Sequence, residues 1–315
     1  MSGLTAPLRF EPIFQYRLWG GRRLERVLET PLPGEGPIGE AWVLSDRDDF
    51  PSVVADGAFQ GRTLSDLVQE HHAAILGRFS SRYERFPLLL KFLDAREMLS
   101  VQVHPSDDQA DLLPPGERGK TEAWVVLEAD ADSAISAGLK PGTTPTKLKA
   151  ALAEGSVEPL LHRFVPKAGD GVFLQSGTVH ALGGGVMVFE VQENSDVTFR
   201  LHDWGRVDAK TGSPRELHIE QGLRSIDFDR GPVDPVDAGA DPLFDCEHFR
   251  LWRRRGADPF AVGETDEPRV LVCLEGSAEV SGTSLRPGDV VLLPASRGRC
   301  TCRPVGMANV LEIGF

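Results

Sequence analysis

The sequence predicts a mainly β protein built from two similar β-barrel units, with a few helices attached to the first unit. Glycine and proline are abundant. The chain of 315 residues has 33 glycines and 23 prolines, about 18% together, whereas these two residues make up roughly 12% of ordinary proteins. Short apolar segments between these turn formers have the length and alternation of strands. A Gly-Asp turn followed by an apolar strand occurs at Gly169-Asp170 and again at Gly288-Asp289, which indicates two copies of one unit.

Two helical stretches interrupt the strands of the first unit. The first is predicted over about 63–76, capped by Thr63 or Ser65 and ended by Gly77, because its leucines and valine recur at helical spacing. The second is predicted over about 145–164, as one helix that stops at a glycine and a second short helix beyond it. All other regular structure is predicted to be strand. The strand candidates are residues 39–46, 87–95, 99–105, 120–130, 186–192, 196–202, 249–255, 269–276, 277–282, 289–295 and 308–315.

A short segment rich in proline, glycine and aspartate separates the two predicted units. We place a first domain at 1–232, a linker at 233–242 and a small all-β domain at 243–315. The linker composition resists both helix and strand, because proline and glycine interrupt regular hydrogen bonding.

Charge and cysteine usage narrow the class of protein. The chain has 34 Lys and Arg against 47 Asp and Glu, a net charge of −13, which disfavours nucleic acid or an anionic membrane as the main partner. No apolar run approaches the ~20 residues of a membrane span, and no signal peptide is visible. The four cysteines all follow residue 245 and form no CxxC pair. We therefore expect a cytoplasmic protein, in which any metal site of the first 245 residues uses nitrogen and oxygen ligands.

Four strand candidates carry polar side chains on one face, because alternate residues of a strand point the same way. If all four faces were exposed to solvent, Trp124 and Val188 would be exposed with them. We therefore expect the polar faces to line the interior of a barrel. They comprise Ser100, Gln102 and His104; Lys120, Glu122 and Trp124; Val188, Glu190 and Gln192; and Asp196, Thr198, Arg200 and His202.

Two histidines and a glutamate form the strongest candidate for a metal site. His104, Glu122 and His180 supply two imidazoles and a carboxylate, a usual ligand set for a divalent metal. Gln102 shares the face of His104 and could add a carbonyl oxygen. Each histidine taken alone fits a hydrogen-bonded core residue equally well, so the prediction depends on the combination.

The spacing around one of these histidines resembles the second motif of the cupin superfamily, G-x5-P-x-G-x2-H-x3-N. Gly169, Gly177 and His180 match it, whereas Gln175 replaces the proline and Gly184 replaces the asparagine. This resemblance implies that both predicted units are cupin-like jelly-roll barrels.

The first motif of an ordinary cupin differs from this chain. That motif carries H-x-H where the chain has Gln102-Val103-His104, and its glutamate comes much sooner than Glu122. These departures argue against an ordinary iron cupin oxygenase.

With these departures, the chain instead resembles the type I mannose-6-phosphate isomerases in their short bacterial form. The matching segments span about 190 residues and occur in the same order as in the family. Each segment alone would be weak evidence, but together they are highly specific. They are YRLWGG (16–21), IGEAWVLS (38–45), FPLLLKFLDA (86–95), LSVQVHP (99–105), GKTEAW (119–124), SGTVHALGGG (176–185) and FEVQENSDVTFRLHDWGR (189–206).

This resemblance implies a site and a role for each matching residue. One zinc per chain is expected on Gln102, His104, Glu122 and His180. The catalytic candidates are Arg200, which matches the family's essential arginine, with Lys120 and Glu190. The substrate-binding candidates are Ser100, Lys91 and Asp196.

The second domain resembles the family's second cupin only in general terms. Counted from Gly288, Arg299 stands at the position that matches His180. We therefore expect no metal site in residues 243–315.

The chemistry of the implied reaction agrees with these residue types. Interconversion of mannose 6-phosphate and fructose 6-phosphate moves a proton between C1 and C2 through an enediol, which calls for a dication, a base and an acid. A phosphate dianion calls for cations, and arginine suits it. The base cannot be chosen from the residues, and Lys91, Asp196 or Glu190 could equally be structural ion-pair partners.

Two other classes of function fit part of the pattern. Two histidines and a carboxylate also suit a cupin-type non-haem iron dioxygenase, and a cupin that binds sugar without catalysis needs only the cavity. The partner expected from the leading hypothesis is a hexose phosphate, with neither nucleic acid nor membrane, and a monomer suffices for the site.

Overall fold

Strands hold 38% of the chain and helices 14%, which confirms the predicted mainly β class. The structure is a computed structural model that describes residues 4–237 and 239–315. No helix in these ranges is long and apolar enough to cross a membrane.

The first part of the chain alternates strands with short helices. Its strands are β1 (Leu8–Arg9), β2 (Ile13–Gly21), β3 (Ile38–Leu44), β4 (Leu88–Ala95), β5 (Val101–Val103), β6 (Glu122–Ala129), β7 (Ile135–Leu139), β8 (Leu161–Phe164), β9 (Gly171–Leu174), β10 (His180–Ala181), β11 (Val186–Glu193), β12 (Phe199–His202), β13 (Val207–Asp208) and β14 (Ser213–Pro214). Its helices are α1 (Leu24–Val27), α2 (Leu64–Glu70), α3 (His72–Leu76), α4 (Pro145–Glu154) and α5 (Ile219–Ser225), with 3₁₀ turns at Gly57–Phe59, Gly77–Phe79 and Glu158–Leu160.

The second part is almost entirely strand. It contains β15 (Phe244–Asp245), β16 (Arg250–Gly256), β17 (Phe260–Val262), β18 (Arg269–Glu275), β19 (Ala278–Val280), β20 (Thr283–Leu285), β21 (Val290–Leu293), β22 (Cys300–Pro304) and β23 (Ala308–Gly314), with a 3₁₀ turn at Ala295–Arg297.

Each part folds around two antiparallel sheets packed face to face, and β13 and β14 of the first part form a separate two-stranded sheet. In the first part the sheet orders are β2-β3-β4-β11-β6-β9 and β12-β5-β10-β7-β8; in the second they are β1-β21-β18-β23-β16-β15 and β17-β22-β19-β20. Leu93 and Trp124 of one sheet share a core with Ile135 and Ala137 of the other. Trp124 shares its face of β6 with Glu122, because alternate residues of a strand point the same way. The space between the two sheets therefore contains both apolar and polar side chains.

The two parts pack against each other through their larger sheets. Phe92 and Phe189 of the first part share a continuous core with Leu251 and Leu311 of the second. The strand β1 also crosses over, because Leu8–Arg9 pairs with β21, so these residues belong to the sheet of the second part rather than to a unit spanning 1–232. The division into two domains otherwise stays a prediction.

The predicted linker lies along the edge of the first part. Val236 donates a backbone hydrogen bond of 2.7 Å to Gly171. Of the linker residues 233–242, Ala238 lies outside the described residues.

The two Gly-Asp turns have the same internal hydrogen bonds. The carboxylate of Asp170 accepts from the backbone of Lys167 at 2.8 Å, and that of Asp289 accepts from the backbone of Arg286 at 2.8 Å. The glycines before them have φ of 96° and 87°, a left-handed conformation that glycine adopts without strain.

The helix predictions need two corrections. Residues 63–76 form two helices, because the backbone of His71 leaves the helical region with φ −125° and ψ 34°; Thr63 is the N-cap, in a capping box with Asp66. In 145–164, only Pro145–Glu154 is an α-helix. Residues 161–164 form an edge strand that pairs with β7, since pairing satisfies more backbone groups than one isolated helical turn would.

Candidate active site

Strand pairing brings the predicted site residues together from distant positions in the sequence. On the first sheet, Lys91 of β4 lies opposite Glu190 of β11. On the second sheet, Gln102 of β5 lies opposite both His180 of β10 and Arg200 of β12. The polar faces of the two sheets therefore point toward the same space.

His104, Glu122 and His180 form a buried cluster at one end of this space. Their potential ligand atoms all lie within 4.8 Å of one another. The Nε2 atom of His104 is 3.5 Å from Glu122 Oε2, and that of His180 is 3.2 Å from Glu122 Oε1. The structure thus places together three residues that are separated by up to 76 positions in the chain.

The orientation of both imidazoles suits metal ligation. His104 Nδ1 is 2.8 Å from the carbonyl oxygen of Val197, and His180 Nδ1 is 2.9 Å from that of Thr178. Each Nδ1 must carry the proton to donate to a carbonyl, so each Nε2 of a neutral ring presents a lone pair. Glu122 Oε1 is buried and accepts no hydrogen bond. Two lone pairs and an unpaired carboxylate oxygen therefore converge, and this donor set fits a divalent metal.

Gln102 and Lys120 border the cluster. The side-chain amide nitrogen of Gln102 is 3.1 Å from His180 Nε2, and a half-turn of the carboxamide would present its oxygen there instead. The Lys120 ammonium contacts Glu122 Oε2 and lies 3.2 Å from His104 Nε2. The oxygen and nitrogen atoms of this cluster therefore already contact one positive charge, the Lys120 ammonium.

The electrostatics of the cluster favour an ionised Glu122 carboxylate beside a neutral His104 ring. Burial by itself raises the pKa of Glu122, but the Lys120 ammonium outweighs it and holds that pKa well below its usual range. Burial and Lys120 lower the pKa of His104 well below 6.5. At neutral pH both residues are consequently in the protonation state that binds a metal.

A polar cavity of about 400 Å³ opens above the cluster. It falls within the range of about 300–1,000 Å³ that small-molecule sites occupy. Seven of the residues predicted for the site line it, namely Lys91, Ser100, Gln102, Lys120, Glu190, Asp196 and Arg200. The other three predicted residues lie in the cluster just described.

One wall of the cavity carries a network of buried charges. Lys91 Nζ is 3.2 Å from Glu190 Oε1 and 4.0 Å from Glu40 Oε2, and Arg17 makes two hydrogen bonds of 2.8 and 3.0 Å to Glu40. Burial and the nearby Glu122 raise the pKa of Glu190. Burial would also raise the pKa of Glu40, but Arg17 and Lys91 lower it to about 2. The two carboxyl groups therefore differ in their readiness to take up a proton.

Sequence reasoning missed several residues of this wall and of the cavity mouth. Glu40 lies on β3 in a run of otherwise buried, mostly apolar residues, and a lone carboxylate in such a strand is a usable signal for a buried partner. The others were assigned no role. Tyr16, Arg17 and Trp19 lie within β2, in a segment that matched the family, whereas Asp208 ends β13 and Arg215 directly follows β14.

Arg200 carries a charge that no carboxylate in the described parts of the chain neutralises directly. Its Nη1 donates to the carbonyl of Glu216 at 2.8 Å, and its Nε is buried without a partner. Burial, followed by the neighbouring Arg215, lowers its pKa to about 10, so it stays cationic at pH 7. Arg215 itself is paired with Asp203 at 2.6 Å. The mouth of the cavity thus gathers positive charge suited to an anion.

The second part of the chain has different residues at equivalent positions. Glu122 lies opposite Leu174 in the β6–β9 pairing, and Arg269 lies opposite Leu293 in the corresponding β18–β21 pairing. An arginine therefore stands where the first part carries a ligand of the cluster. The predicted absence of a metal site in this part stays a prediction.

Comparisons with known proteins agree on one family. The family described as phosphomannose isomerase type I, catalytic domain, matches residues 8–128. Mannose-6-phosphate isomerase ManA of Bacillus subtilis is 37% identical over 93% of this chain and 95% of its own length. The mannose-6-phosphate isomerase of Streptococcus mutans is 39% identical over 92% of this chain and 93% of its own length.

A solved structure extends this agreement to the fold. The crystal structure of the mannose 6-phosphate isomerase from Bacillus subtilis superimposes with a TM-score of 0.87 at 30% identity, over 98% of this chain and 100% of that one. Sequence and structure are therefore similar over nearly the whole length of both proteins. The chain belongs to the type I phosphomannose isomerase family.

Proposed function

We propose that this chain is a zinc-dependent mannose-6-phosphate isomerase that interconverts mannose 6-phosphate and fructose 6-phosphate through an enediol. The observation that carries the proposal is the convergence of His104, Glu122 and His180 beneath a cavity that is lined by Lys120 and Arg200. The names and the coverage of the relatives support the same activity.

The cluster would hold the zinc through the Nε2 atoms of His104 and His180 and the carboxylate of Glu122, with Gln102 able to add an oxygen. When bound, zinc supplies a positive charge that polarises the sugar oxygens and stabilises negative charge on them. Two nitrogen donors and a carboxylate suit zinc. The same donors suit other divalent transition metals, so zinc is part of what we propose.

Glu190 is the residue that we propose to transfer the proton between C1 and C2. Its carboxylate lines the cavity. One oxygen accepts a hydrogen bond of 2.8 Å from Trp124 Nε1, and the other lies 3.2 Å from the Lys91 ammonium. The raised pKa brings the carboxyl group closer to the operating pH, where a general base is most effective. Lys120 would donate hydrogen bonds to the sugar oxygens as charge develops on them, because Glu122 keeps it cationic.

The phosphate group would bind in the cationic part of the cavity around Arg200. The guanidinium of Arg200 lacks a carboxylate partner and lines the cavity together with Arg215. Burial and then Arg215 lower the pKa of Arg200 to about 10. A phosphate dianion would relieve the repulsion between these two cations, and arginine can contact it bidentately.

The remaining predicted residues would position the sugar. Ser100 lies beside Gln102, with its hydroxyl 3.4 Å from Gln102 Oε1, and Asp196 is exposed at the cavity wall. We propose that these two residues and Lys91 hydrogen-bond the sugar hydroxyls. All proposed site residues come from one chain, so a monomer would have a complete site. We also propose that the protein is cytoplasmic.

A coupled assay tests the proposal directly. Purified protein should convert mannose 6-phosphate to fructose 6-phosphate, lose that activity on chelation and regain it when zinc is added back. Turnover that persists after complete metal removal would contradict the zinc mechanism.

The same preparation separates the two alternative functions. Iron in the metal analysis together with oxygen consumption would identify a dioxygenase. Binding of the sugar phosphate without turnover in the metal-loaded protein would identify a non-catalytic sugar-binding protein.

A further inference from the structure

A second cavity, of about 260 Å³, lies between the two parts of the chain. Phe92, Val125 and Met187 form its wall on the first part, on the face of β4, β6 and β11 that points away from the candidate active site. Cys273 and Asn309 belong to its wall on the second part. None of these residues has a role in the function proposed above.

Arg253 places a positive charge at the wall of this cavity. In the β16–β23 pairing it lies opposite Leu311, just as Phe92 lies opposite Phe189 in the β4–β11 pairing. The second part thus carries an arginine where the first part carries a phenylalanine. Its Nη1 donates to the carbonyl of Gly169 at 2.6 Å, while Nε and Nη2 are buried without partners. No carboxylate in the described ranges forms an ion pair with it.

Asn309 provides a second, independent unsatisfied group. Its side chain is only 4% exposed and lines the cavity. Its Oδ1 is buried and accepts no hydrogen bond, and its Nδ2 makes only a long contact of 3.5 Å to Glu275. A buried amide oxygen without a donor is unfavourable. Arg253 and Asn309 therefore each have buried polar atoms that lack a partner.

We propose that this cavity binds a small organic monoanion that has an apolar body and a hydrogen-bond donor. Its carboxylate would pair with the free nitrogens of Arg253, its donor would satisfy Asn309 Oδ1, and its body would lie against Phe92 and Met187. The carboxylates of Glu128 and Glu275 also line the cavity. Because they would repel a dianionic ligand more strongly than a monoanionic one, the ligand should carry a single negative charge. The volume equals that of roughly nine waters, which suits a molecule the size of an aromatic acid.

The test uses the full-length, metal-loaded protein with 4-hydroxybenzoate as the probe, because this probe carries a carboxylate, a ring and a hydroxyl donor. The neutral 4-hydroxybenzamide and inorganic phosphate are the matched comparisons. Isothermal titration calorimetry should give one site per chain for the acid and binding weaker by about tenfold or more for the amide, since a charge-assisted hydrogen bond is lost. If phosphate binds as tightly as the acid, the cavity is a general anion site and the proposal of an organic monoanion is wrong.

Variants locate the binding. Arg253→Gln keeps a donor for the Gly169 carbonyl but removes the charge, and it should weaken binding about tenfold or more; Asn309→Leu should weaken it by a smaller factor. Arg303→Met, at an exposed position of β22 outside this cavity, is the matched arginine control and should bind as the unchanged protein does. Arg200→Met should also retain binding, because Arg200 lies in the other cavity.

Two results would overturn the inference. Binding that Arg200→Met abolishes and Arg253→Gln retains would place the anion in the candidate active site. No binding of the acid, the amide or phosphate at millimolar concentration would mean that water alone satisfies Arg253 and Asn309. Melting temperatures of the variants, measured without probe, show whether each variant is folded and thereby keep these outcomes interpretable.

Discussion

The ammonium of Lys91 lies 3.2 Å from Glu190 Oε1, directly across the pairing of β4 with β11. Trp124 donates to the other oxygen of the same carboxylate, and all three side chains are buried. The carboxylate is therefore held in one orientation at the wall of the cavity. This fixed orientation is what a group that removes a carbon-bound proton needs, because proton transfer requires a defined geometry.

Replacing Glu190 with glutamine should lower kcat by about 10²- to 10⁴-fold, the usual contribution of a general base. The amide oxygen can still accept from Trp124, so the substitution retains the shape of the site and KM should change little. Steady-state kinetics on metal-loaded protein measure the effect. Glu128→Gln, on β6 but outside this cavity, is the matched control; turnover of Glu190→Gln within tenfold of the control would rule out the proposed role.

Removing a ligand of the cluster should abolish zinc binding. His180→Ala takes away one of the two lone pairs that face Glu122, so elemental analysis should find little zinc in the variant. Chelation should lower the melting temperature of the unchanged protein, because the metal binds the folded state in preference to the unfolded one.

The same chelation should leave the melting temperature of His180→Ala unchanged. His162→Ala serves as the histidine control, because His162 lies outside the cluster and contacts Asp234 at 2.8 Å. Stoichiometric zinc in His180→Ala would show that the metal binds elsewhere.

Replacing Arg200 with lysine should raise KM for mannose 6-phosphate and lower kcat/KM by about ten- to a hundredfold, since the charge remains but the bidentate contact is lost. Kinetics with unphosphorylated mannose distinguish the two roles open to this residue. If Arg200 binds the phosphate, the low activity on mannose should be the same in the variant and the unchanged protein. An equal loss on both sugars would instead place Arg200 near the reacting carbons.

His248 should make the stability of the protein depend on pH. Its Nδ1 lies 3.1 Å from Glu193 Oε1 and its Nε2 lies 3.1 Å from Glu247. Burial lowers its pKa, but Glu193, Glu247 and the more distant Asp107 outweigh burial and raise that pKa above 6.5. A raised pKa in the folded state means that the stabilisation is fully present below pH 6.5 and is lost as the pH rises through the folded-state pKa.

His248→Gln should therefore reduce the free energy of unfolding more at pH 5.5 than at pH 9. Urea unfolding of metal-loaded protein at both pH values measures the difference. His72→Gln provides the comparison, because His72 contacts the carbonyl of Tyr83 rather than a carboxylate. A loss of stability in His248→Gln that is equal at both pH values would mean that the interaction with Glu193 does not depend on the charge of the ring.

The alternation of residues within each strand made part of the site predictable. Gln102 and His104 were assigned to one face of β5 because successive residues of a strand point to opposite sides, and this rule is local. The same rule grouped Lys120 with Glu122. The resemblance to the isomerases was also readable without coordinates, because it depends on residue types and spacing alone.

The sequence did not reveal which strands pair or in what register. Arg17 and Glu40 form a bidentate pair across β2 and β3, and neither residue was singled out, since such a pairing joins segments by long-range packing rather than by local preference. The strand at Leu161–Phe164 was mistaken for helix for the same reason, because its hydrogen-bond partner, β7, lies more than twenty residues earlier.

By itself, the sequence determined the fold class, the family and the chemical types of the candidate ligands, because composition, alternation and motif spacing are properties of the chain. Only the tertiary structure decided that the Nε2 atoms of His104 and His180 both face Glu122, and that two guanidinium nitrogens of Arg253 are buried between the two parts of the chain without a partner. The physical reason is that such encounters depend on how sheets pack against each other. Sheet packing is set by the apolar surface of the whole chain rather than by any one segment.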